Sequence, residues 1–226
     1  MKSKNKVVTF GCRLNTYESQ VVKKALTDSG VEDVTVFNTC AVTQEAERQA
    51  RQAIRKHKRE NPDKKIVVTG CAAQIRPETF AKMPEVDRVL GNLDKLKAQS
   101  YTDKEAVLVE DIMNVKTLAS HMVTAFDGRS RAFIQIQNGC NHRCTFCTIP
   151  FGRGPSRSVP VNELINEFQS LMGKGYCEFV LTGVDITDYG LDLEPNVSLG
   201  QLVQSLLDAL PQLGRLRLSS LDPSEM

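Results

Sequence analysis

Apolar positions in residues 5–97 alternate between the spacing of strands and the spacing of helices. Short apolar runs predict four strands, at residues 6–10, 34–38, 65–69 and 86–90. Periodic stretches between them predict helices at residues 16–29, 44–60 and 77–82, with another helix beginning in 94–100. Alternating strands and helices of this length are typical of an α/β domain with an open parallel sheet, doubly wound with helices on both faces.

The pattern is interrupted and then restarts. Residues 101–129 lack clear periodicity and predict a connector with one short strand at 106–110. Strands are then predicted at 133–137, 178–182 and 215–219, with helices at 161–174 and 199–210. We therefore expect an N-terminal domain at residues 1–100, a connector at 101–129 and a second α/β domain at 130–226.

A compact cysteine motif follows the first strand of the second domain. Cys140, Cys144 and Cys147 form CxxxCxxC, with Phe146 placed to shield the sulfurs from water. A closed zinc site takes four ligands, whereas three thiolates suit an iron–sulfur cluster with one open iron. A zinc-stabilised nucleic-acid-binding module, with His142 as the fourth ligand, is the alternative, but its spacing differs from that of zinc fingers and leaves three other cysteines unexplained. We expect His142 to be part of the loop structure.

Three further cysteines lie far apart in the sequence but in similar positions. Cys12, Cys40 and Cys71 each follow one of the first three predicted strands. The carboxyl ends of parallel strands meet at one edge of a sheet, so these thiols can converge on a second metal cluster. Gly11 and Gly70 permit close approach of the backbone there. The alternative is that they are ordinary buried cysteines.

Composition indicates where in the cell the chain is expected to work. Seven cysteines cannot all pair as disulfides, and no apolar run reaches the length of a membrane span or resembles a signal peptide. We expect a cytoplasmic protein without a membrane partner. The net charge of +2 says little about nucleic acid, and the basic residues of 44–60, His57 included, predict a solvated helix face. Cys177 is expected in the core, and Glu18 as an ordinary helix residue.

Several longer motifs carry a family resemblance. The segments are FGCRLNTYES from Phe10, NTCAVT from Asn38, TGCA from Thr69, GRGPSRS from Gly152, LTGVD from Leu181 and RLSSLDP from Arg217. Together with CxxxCxxC they resemble radical S-adenosylmethionine (SAM) methylthiotransferases, most closely the branch that acts on N6-threonylcarbamoyladenosine in tRNA. Sister branches act on isopentenyladenosine in tRNA or on a ribosomal-protein aspartate.

The resemblance implies chemistry and partners. It implies two 4Fe-4S clusters, one on each cysteine triad, with SAM bound and reductively cleaved at the CxxxCxxC cluster. It also implies methylthiolation of carbon 2 of the adenine beside the anticodon, with tRNA and a flavodoxin-type or ferredoxin-type electron donor as partners and no DNA. The second domain would be the first half of a radical SAM partial β/α barrel, so a truncated chain, inactive on its own or purely metal-binding, is a further expectation.

Weaker site predictions complete the set. Residues at the ends of later strands are expected near SAM, namely Gly183, Ser219, Ser220 and Glu225. Arg153 and Arg157, just beyond the cysteine loop, are expected to contact substrate.

Overall fold

The computed structural model describes residues 5–116, 118, 123 and 130–221. The chain divides into two compact units, each of which is considered by itself. The first consists of Met1–Asn114 together with Arg143–Arg153, and the second of Val115–His142 and Gly154–Met226. The first unit thus continues past residue 100 and includes a segment that begins inside the cysteine motif and contains Cys144 and Cys147.

A five-stranded parallel sheet organises the first unit. Its strands lie in chain order, each paired with the next: β1 (Lys6–Thr9), β2 (Val34–Thr39), β3 (Lys65–Gly70), β4 (Arg88–Leu90) and β5 (Val107–Leu108). The short strand expected in the connector is therefore the edge strand of this sheet. Because β1, β2 and β3 are neighbours, their carboxyl ends lie side by side.

Helices cover both faces of this sheet. They are α1 (Arg13–Ser29), α2 (Gln44–Glu60), α3 (Cys71–Ile75), α4 (Pro77–Ala81) and α5 (Ile149–Arg153). Leu26 of α1 packs with Val36 on one face, whereas Ile54 of α2 and Phe80 of α4 pack with Phe37 on the other. The first two crossovers run in the same direction over opposite faces, so they have opposite hands, which is uncommon.

Helix ends in this unit follow local chemistry. Helix α1 stops at Gly30, whose φ of 67° is left-handed and favours glycine. Helix α2 has the predicted bounds because the Thr43 hydroxyl accepts a hydrogen bond from the Ala46 amide at 3.1 Å, and Asn61 ends the helix. Two five-residue helices, α3 and α5, were not predicted.

The second unit contains a three-stranded parallel sheet in the order β10-β9-β6, formed by β6 (Ala132–Gln135), β9 (Glu178–Thr182) and β10 (Arg215–Leu218). Strands β7 (Gln137–Asn138) and β8 (Arg157–Ser158) form a short antiparallel ribbon. Helices α6 (Val161–Met172) and α7 (Leu199–Ala209) connect the parallel strands. Phe168 of α6 stacks on Phe179 of β9, with ring centroids 4.6 Å apart. The successive strands move in one direction, as in a β/α barrel.

The predicted α/β class is confirmed. Within the described part of the chain, no helix is both long enough and apolar enough to cross a membrane.

Candidate functional site

The three strand-end cysteines share one edge of the first sheet. Cys12 is the residue before α1, Cys40 directly follows β2, and Cys71 directly follows β3 as the first residue of α3. Cys12 is exposed, whereas Cys40 and Cys71 are buried, and all three are free thiols. The sheet order explains the grouping, because β1, β2 and β3 are adjacent and parallel.

Two glycines shape this edge. Gly11 has a φ of 90°, and a Cβ built on it would lie 2.6 Å from Cys40 Cβ and 2.7 Å from Cys40 Sγ. Gly70 has a φ of 97°, and a Cβ there would overlap the backbone of Thr39. Only glycine fits either position, so Gly11 makes room for the Cys40 side chain and Gly70 for the Thr39 backbone.

The thiols are close enough to affect one another. Burial raises the pKa of the Cys40 thiol, a hydrogen bond with Val42 opposes the rise, and the charges of Cys71 and Cys12 add to it. Such a thiol holds its proton in the metal-free chain, and a metal that binds the thiolate must displace that proton.

A buried charged network lies within the same unit. Arg153 donates to Glu18 Oε1 at 2.7 Å and to Asn15 Oδ1 at 2.6 Å, and Lys95 Nζ donates to Glu18 Oε2 at 2.7 Å. All four residues are at most 3% exposed. Charged side chains are almost never so deeply buried unless they are paired.

The network sets two basic side chains against one carboxylate. Burial alone would raise the pKa of Glu18, but Arg153 and Lys95 outweigh it and lower the pKa to about 2. Burial lowers the pKa of Lys95, an effect that Glu18 opposes. Burial would also lower the pKa of Arg153, but the charges of Cys71 and Glu18 prevail and raise it. The Arg153 cation and the Lys95 amine thus face one carboxylate and the cysteine thiols.

Asn92 connects the network to a thiol. Its side-chain oxygen accepts from Lys95 Nζ at 2.7 Å, and its Nδ2 donates to the Gly152 carbonyl at 2.5 Å and toward Cys71 Sγ at 3.8 Å. Helix α5, which contains Gly152, is thereby held beside Cys71. Sequence reasoning missed this network, since Glu18 and Lys95 occur in stretches that resemble ordinary surface helix.

The CxxxCxxC residues divide between the two units. In the first unit the Cys147 amide donates to the Cys144 carbonyl at 3.0 Å, forming a turn in which Cys144 is exposed and Cys147 half-buried. Phe146 is 88% exposed, so the expected shielding of the sulfurs is absent in this structure. In the second unit Cys140 is buried, and its amide donates to the Gly154 carbonyl at 3.1 Å.

Both arginines expected to contact substrate are buried. Arg153 is 3% exposed within the charged network, and Arg157 is 2% exposed with its Nε donating to the Pro155 carbonyl at 3.0 Å. In this structure both arginines contact other protein groups, and their contact with substrate stays a prediction. Helix α5 places Arg153 in the first unit, and strand β8 places Arg157 in the second.

The strand-end residues expected near SAM have mixed surroundings. Gly183 follows β9, and the amides of Val184 and Asp185 donate to Gln137 Oε1 at 2.9 and 3.0 Å. Ser219 is half-buried and Ser220 exposed, while Glu225 lies outside the described residues.

Two other predictions need correction. Cys177 is exposed rather than in the core, because it lies in the loop before β9, at the open end of the strand. His57 is more than a surface residue of the basic helix. Its ring packs edge-on against Phe37, with centroids 5.7 Å apart, and its Nε2 lies 2.9 Å from Thr35 Oγ1.

The strand-end triad fits an iron–sulfur cluster. Its donor set is three cysteine sulfurs without a carboxylate, the preference of soft metal centres. A cluster bound by three thiolates is an anion, and Lys95 and Arg153 provide buried positive charge within the unit. Gly11 lets the backbone before Cys12 lie directly against the Cys40 side chain. These features agree with a metal role better than with three unrelated core cysteines.

Comparisons with known proteins agree with the two-part organisation. The model for uncharacterized protein family UPF0004 matches residues 4–91, and the radical SAM superfamily model matches residues 134–209. The radical SAM methyltransferase TsrM from Kitasatospora setae, solved with cobalamin and a 4Fe-4S cluster, has a TM-score of 0.58 at 14% identity. That match covers 96% of this chain and 59% of TsrM, and it supports the fold alone.

Curated relatives share much more sequence. The threonylcarbamoyladenosine tRNA methylthiotransferase MtaB of Rickettsia prowazekii is 52% identical over 225 residues, which are 99% of this chain and 53% of that protein. MtaB of Bacillus subtilis is 37% identical, covering 96% of this chain and 51% of that protein. The chain thus spans about half the length of the curated relatives it matches. With a UPF0004 region followed by part of a radical SAM region, it is related over nearly its whole length to these tRNA methylthiotransferases.

Proposed function

We propose that this chain is the cluster-binding part of a tRNA-modifying enzyme that methylthiolates carbon 2 of N6-threonylcarbamoyladenosine. The single observation that carries the proposal is the strand-end triad of Cys12, Cys40 and Cys71 in a unit with buried positive charge. The substrate is inferred from the MtaB relatives, whose name specifies threonylcarbamoyladenosine tRNA.

Each triad has its own part in the proposal. Cys12, Cys40 and Cys71 would hold one 4Fe-4S cluster, and Cys140, Cys144 and Cys147 would hold a second, which would serve SAM cleavage. When bound, these groups supply the reducing electron, the methyl group and the site for the transferred sulfur. An external reductant of the flavodoxin or ferredoxin class is required as a partner.

The chain's own residues fix and insulate the first of these sites. Asn15 anchors the segment before Cys12 by donating to the carbonyls of Phe10 at 2.7 Å and Thr39 at 3.0 Å. It therefore links the ends of β1 and β2, the strands that precede Cys12 and Cys40. Arg153 donates to Asn15 in turn, so the buried cation and the cysteine-bearing loops are held by one set of hydrogen bonds.

Iron stoichiometry tests the two-cluster part of the proposal. Anaerobic reconstitution should give about eight irons per chain, and about four after Cys140, Cys144 and Cys147 are all changed to alanine. About four irons per chain should also remain after Cys12, Cys40 and Cys71 are changed to alanine instead. Zinc at one per chain without the visible iron–sulfur absorption would contradict the proposal.

Product analysis tests the division of roles, in a full-length protein carrying these residues. Cys144→Ala should abolish SAM cleavage, since its cluster would be lost. Cys40→Ala should leave reductive SAM cleavage measurable while eliminating methylthiolated adenosine in digested tRNA. A Cys40→Ala protein that still forms the methylthio product would show that the strand-end triad is structural. Cys177→Ala is the matched control and should change neither activity.

A further inference from the structure

Cys140 lies in a second constellation of metal-ligating atoms that the CxxxCxxC motif does not include. In the described part of the chain, the group in which three such atoms all lie within 4.8 Å of one another is Cys140, His142 and Asp185. Asp185 Oδ2 is 3.6 Å from Cys140 Sγ and 3.3 Å from His142 Nε2. All three residues belong to the second unit.

These separations match the edges of a zinc tetrahedron. Bonds of about 2.3 Å to sulfur and about 2.0 Å to nitrogen and oxygen place sulfur and oxygen about 3.5 Å apart, and nitrogen and oxygen about 3.3 Å apart. Thiolate, imidazole and carboxylate are also the three ligand types that zinc takes in proteins. Both the geometry and the donor set therefore suit one divalent ion.

The carboxylate is held in position by its surroundings. Thr187 Oγ1 donates to Asp185 Oδ1 at 2.7 Å, which leaves Oδ2 directed at the thiol and the imidazole. The Asp185 amide donates to Gln137 Oε1 at 3.0 Å, and Gln137 Nε2 donates to the Gly139 carbonyl at 2.7 Å. One buried glutamine therefore fixes the backbone next to both Cys140 and Asp185, as outer-shell partners do in metal sites.

The site is buried on one side and open on the other. Cys140 is 9% exposed, and the Asp185 side chain is 11% exposed, but the His142 side chain is 48% exposed. An open side permits a water molecule to complete four-coordination, as in zinc sites with three protein ligands.

We infer that the metal-free chain binds one Zn²⁺ ion through Cys140, His142 and Asp185, independently of Cys144 and Cys147. Binding releases the thiol proton of Cys140 to solvent. If the proposed function also holds, zinc and the CxxxCxxC cluster exclude one another because they share Cys140. The two triads that hold clusters do not include His142 or Asp185, so the ligand sets can be separated by substitution.

Cobalt provides the direct test, since four-coordinate Co²⁺ with a thiolate ligand gives ligand-field and sulfur-to-metal absorption bands. Metal-free chain is titrated anaerobically with Co²⁺, followed by Zn²⁺. Wild type should bind one more Co²⁺ per chain than Asp185→Asn, and Zn²⁺ should remove the corresponding bands. His142→Gln should weaken this site by at least about tenfold. Cys144→Ser should bind as wild type does.

Asp192→Asn is the matched control, because it makes the same charge change at a carboxylate that accepts the Ser158 amide at 2.9 Å. Circular dichroism checks that each variant is folded, and His142→Gln, at an exposed position, tests the site if Asp185→Asn is unfolded. Equal Co²⁺ binding by wild type and His142→Gln would overturn the inference. So would loss of the bands in Cys144→Ser, which would assign them to a site made of cysteines alone.

A competition measurement separates this inference from the proposed function. Preloading with one Zn²⁺ should lower reconstitution from about eight to about four irons in wild type but not in Asp185→Asn. A chain that binds cobalt as expected yet never takes up iron would retain the zinc site and contradict the cluster proposal. A chain that takes up eight irons despite zinc would contradict the shared use of Cys140.

Discussion

Glu18→Gln gives the sharpest test of the buried network. The wild-type carboxylate has a pKa of about 2 against an ordinary value of 4.5. This difference corresponds to about 3 kcal/mol of stability, at about 1.4 kcal/mol per pH unit. Because the folded-state pKa is depressed, the contribution is complete above pH of about 5 and is lost as the pH falls toward about 2.

The substitution should therefore change stability in a pH-dependent way. Near pH 7, Glu18→Gln leaves Lys95 and Arg153 without their carboxylate, and breaking such a buried pair costs about 3–5 kcal/mol. At pH of about 3, the wild type has itself lost about 2 kcal/mol through protonation of the unfolded chain. The difference in unfolding free energy between the two proteins should shrink by that amount.

Urea unfolding of the metal-free, reduced chain at several pH values measures the difference. Circular dichroism is the signal, because the chain contains no tryptophan. Glu45→Gln is the matched control: hydrogen bonds with Arg48 and Gln49 lower the pKa of Glu45 to about 2 as well, but this carboxylate is on the surface. Water and salt screen the charge of this carboxylate, so the unfolding free energy of Glu45→Gln should differ little from that of wild type. A gap between wild type and Glu18→Gln that is the same at pH 7 and pH 3 would refute an ionised Glu18 in the folded chain.

Three further predictions, each made by substitution, concern residues within the individual units. Gly70→Ala should cost at least about 2 kcal/mol in urea unfolding and lower iron uptake, since it combines a left-handed φ with overlap of the Thr39 backbone. Its control is Gly30→Ala, at a residue with a φ of 67° and open space around it. That control should cost about 1 kcal/mol and leave iron uptake unchanged. Arg153→Met should lower iron uptake more than Arg153→Lys, which keeps the buried charge; equal iron contents would contradict an electrostatic role. Ser198→Ala should cost about 1 kcal/mol in the unfolding of the second unit, because it removes the capping box of α7.

The sequence predicts the sheet and the cysteine grouping because both depend on local patterns. Buried strands produce apolar runs, and Cys12, Cys40 and Cys71 follow three of them, so their common edge could be inferred without coordinates. The order of strands in the sheet could not be predicted in this way, because it depends on contacts between distant segments. The inclusion of residues 143–153 in the first unit also depends on distant contacts, namely those between α5 and α3.

The buried charges could not be predicted for a related reason. Charged side chains are nearly always at the surface, so Glu18 in α1 and Lys95 in a short turn are expected there. Each is buried only because the other, together with Arg153 from far along the chain, satisfies its charge. Five-residue helices such as α3 are equally hard to predict, since they are too short to show a helical period.

Net buried positive charge is costly in a metal-free chain, and the chemistry of the thiols explains why it can be retained. The charges of Glu18 and Cys71 favour the charged forms of both Lys95 and Arg153. A cysteine thiol must lose its proton to bind a metal, and nearby positive charge lowers the free energy of forming the thiolate. By linkage, a metal cluster on Cys12, Cys40 and Cys71 should stabilise the fold of the first unit as much as the fold favours the cluster. We therefore expect this network of ion pairs to favour cluster binding as well as to stabilise the fold.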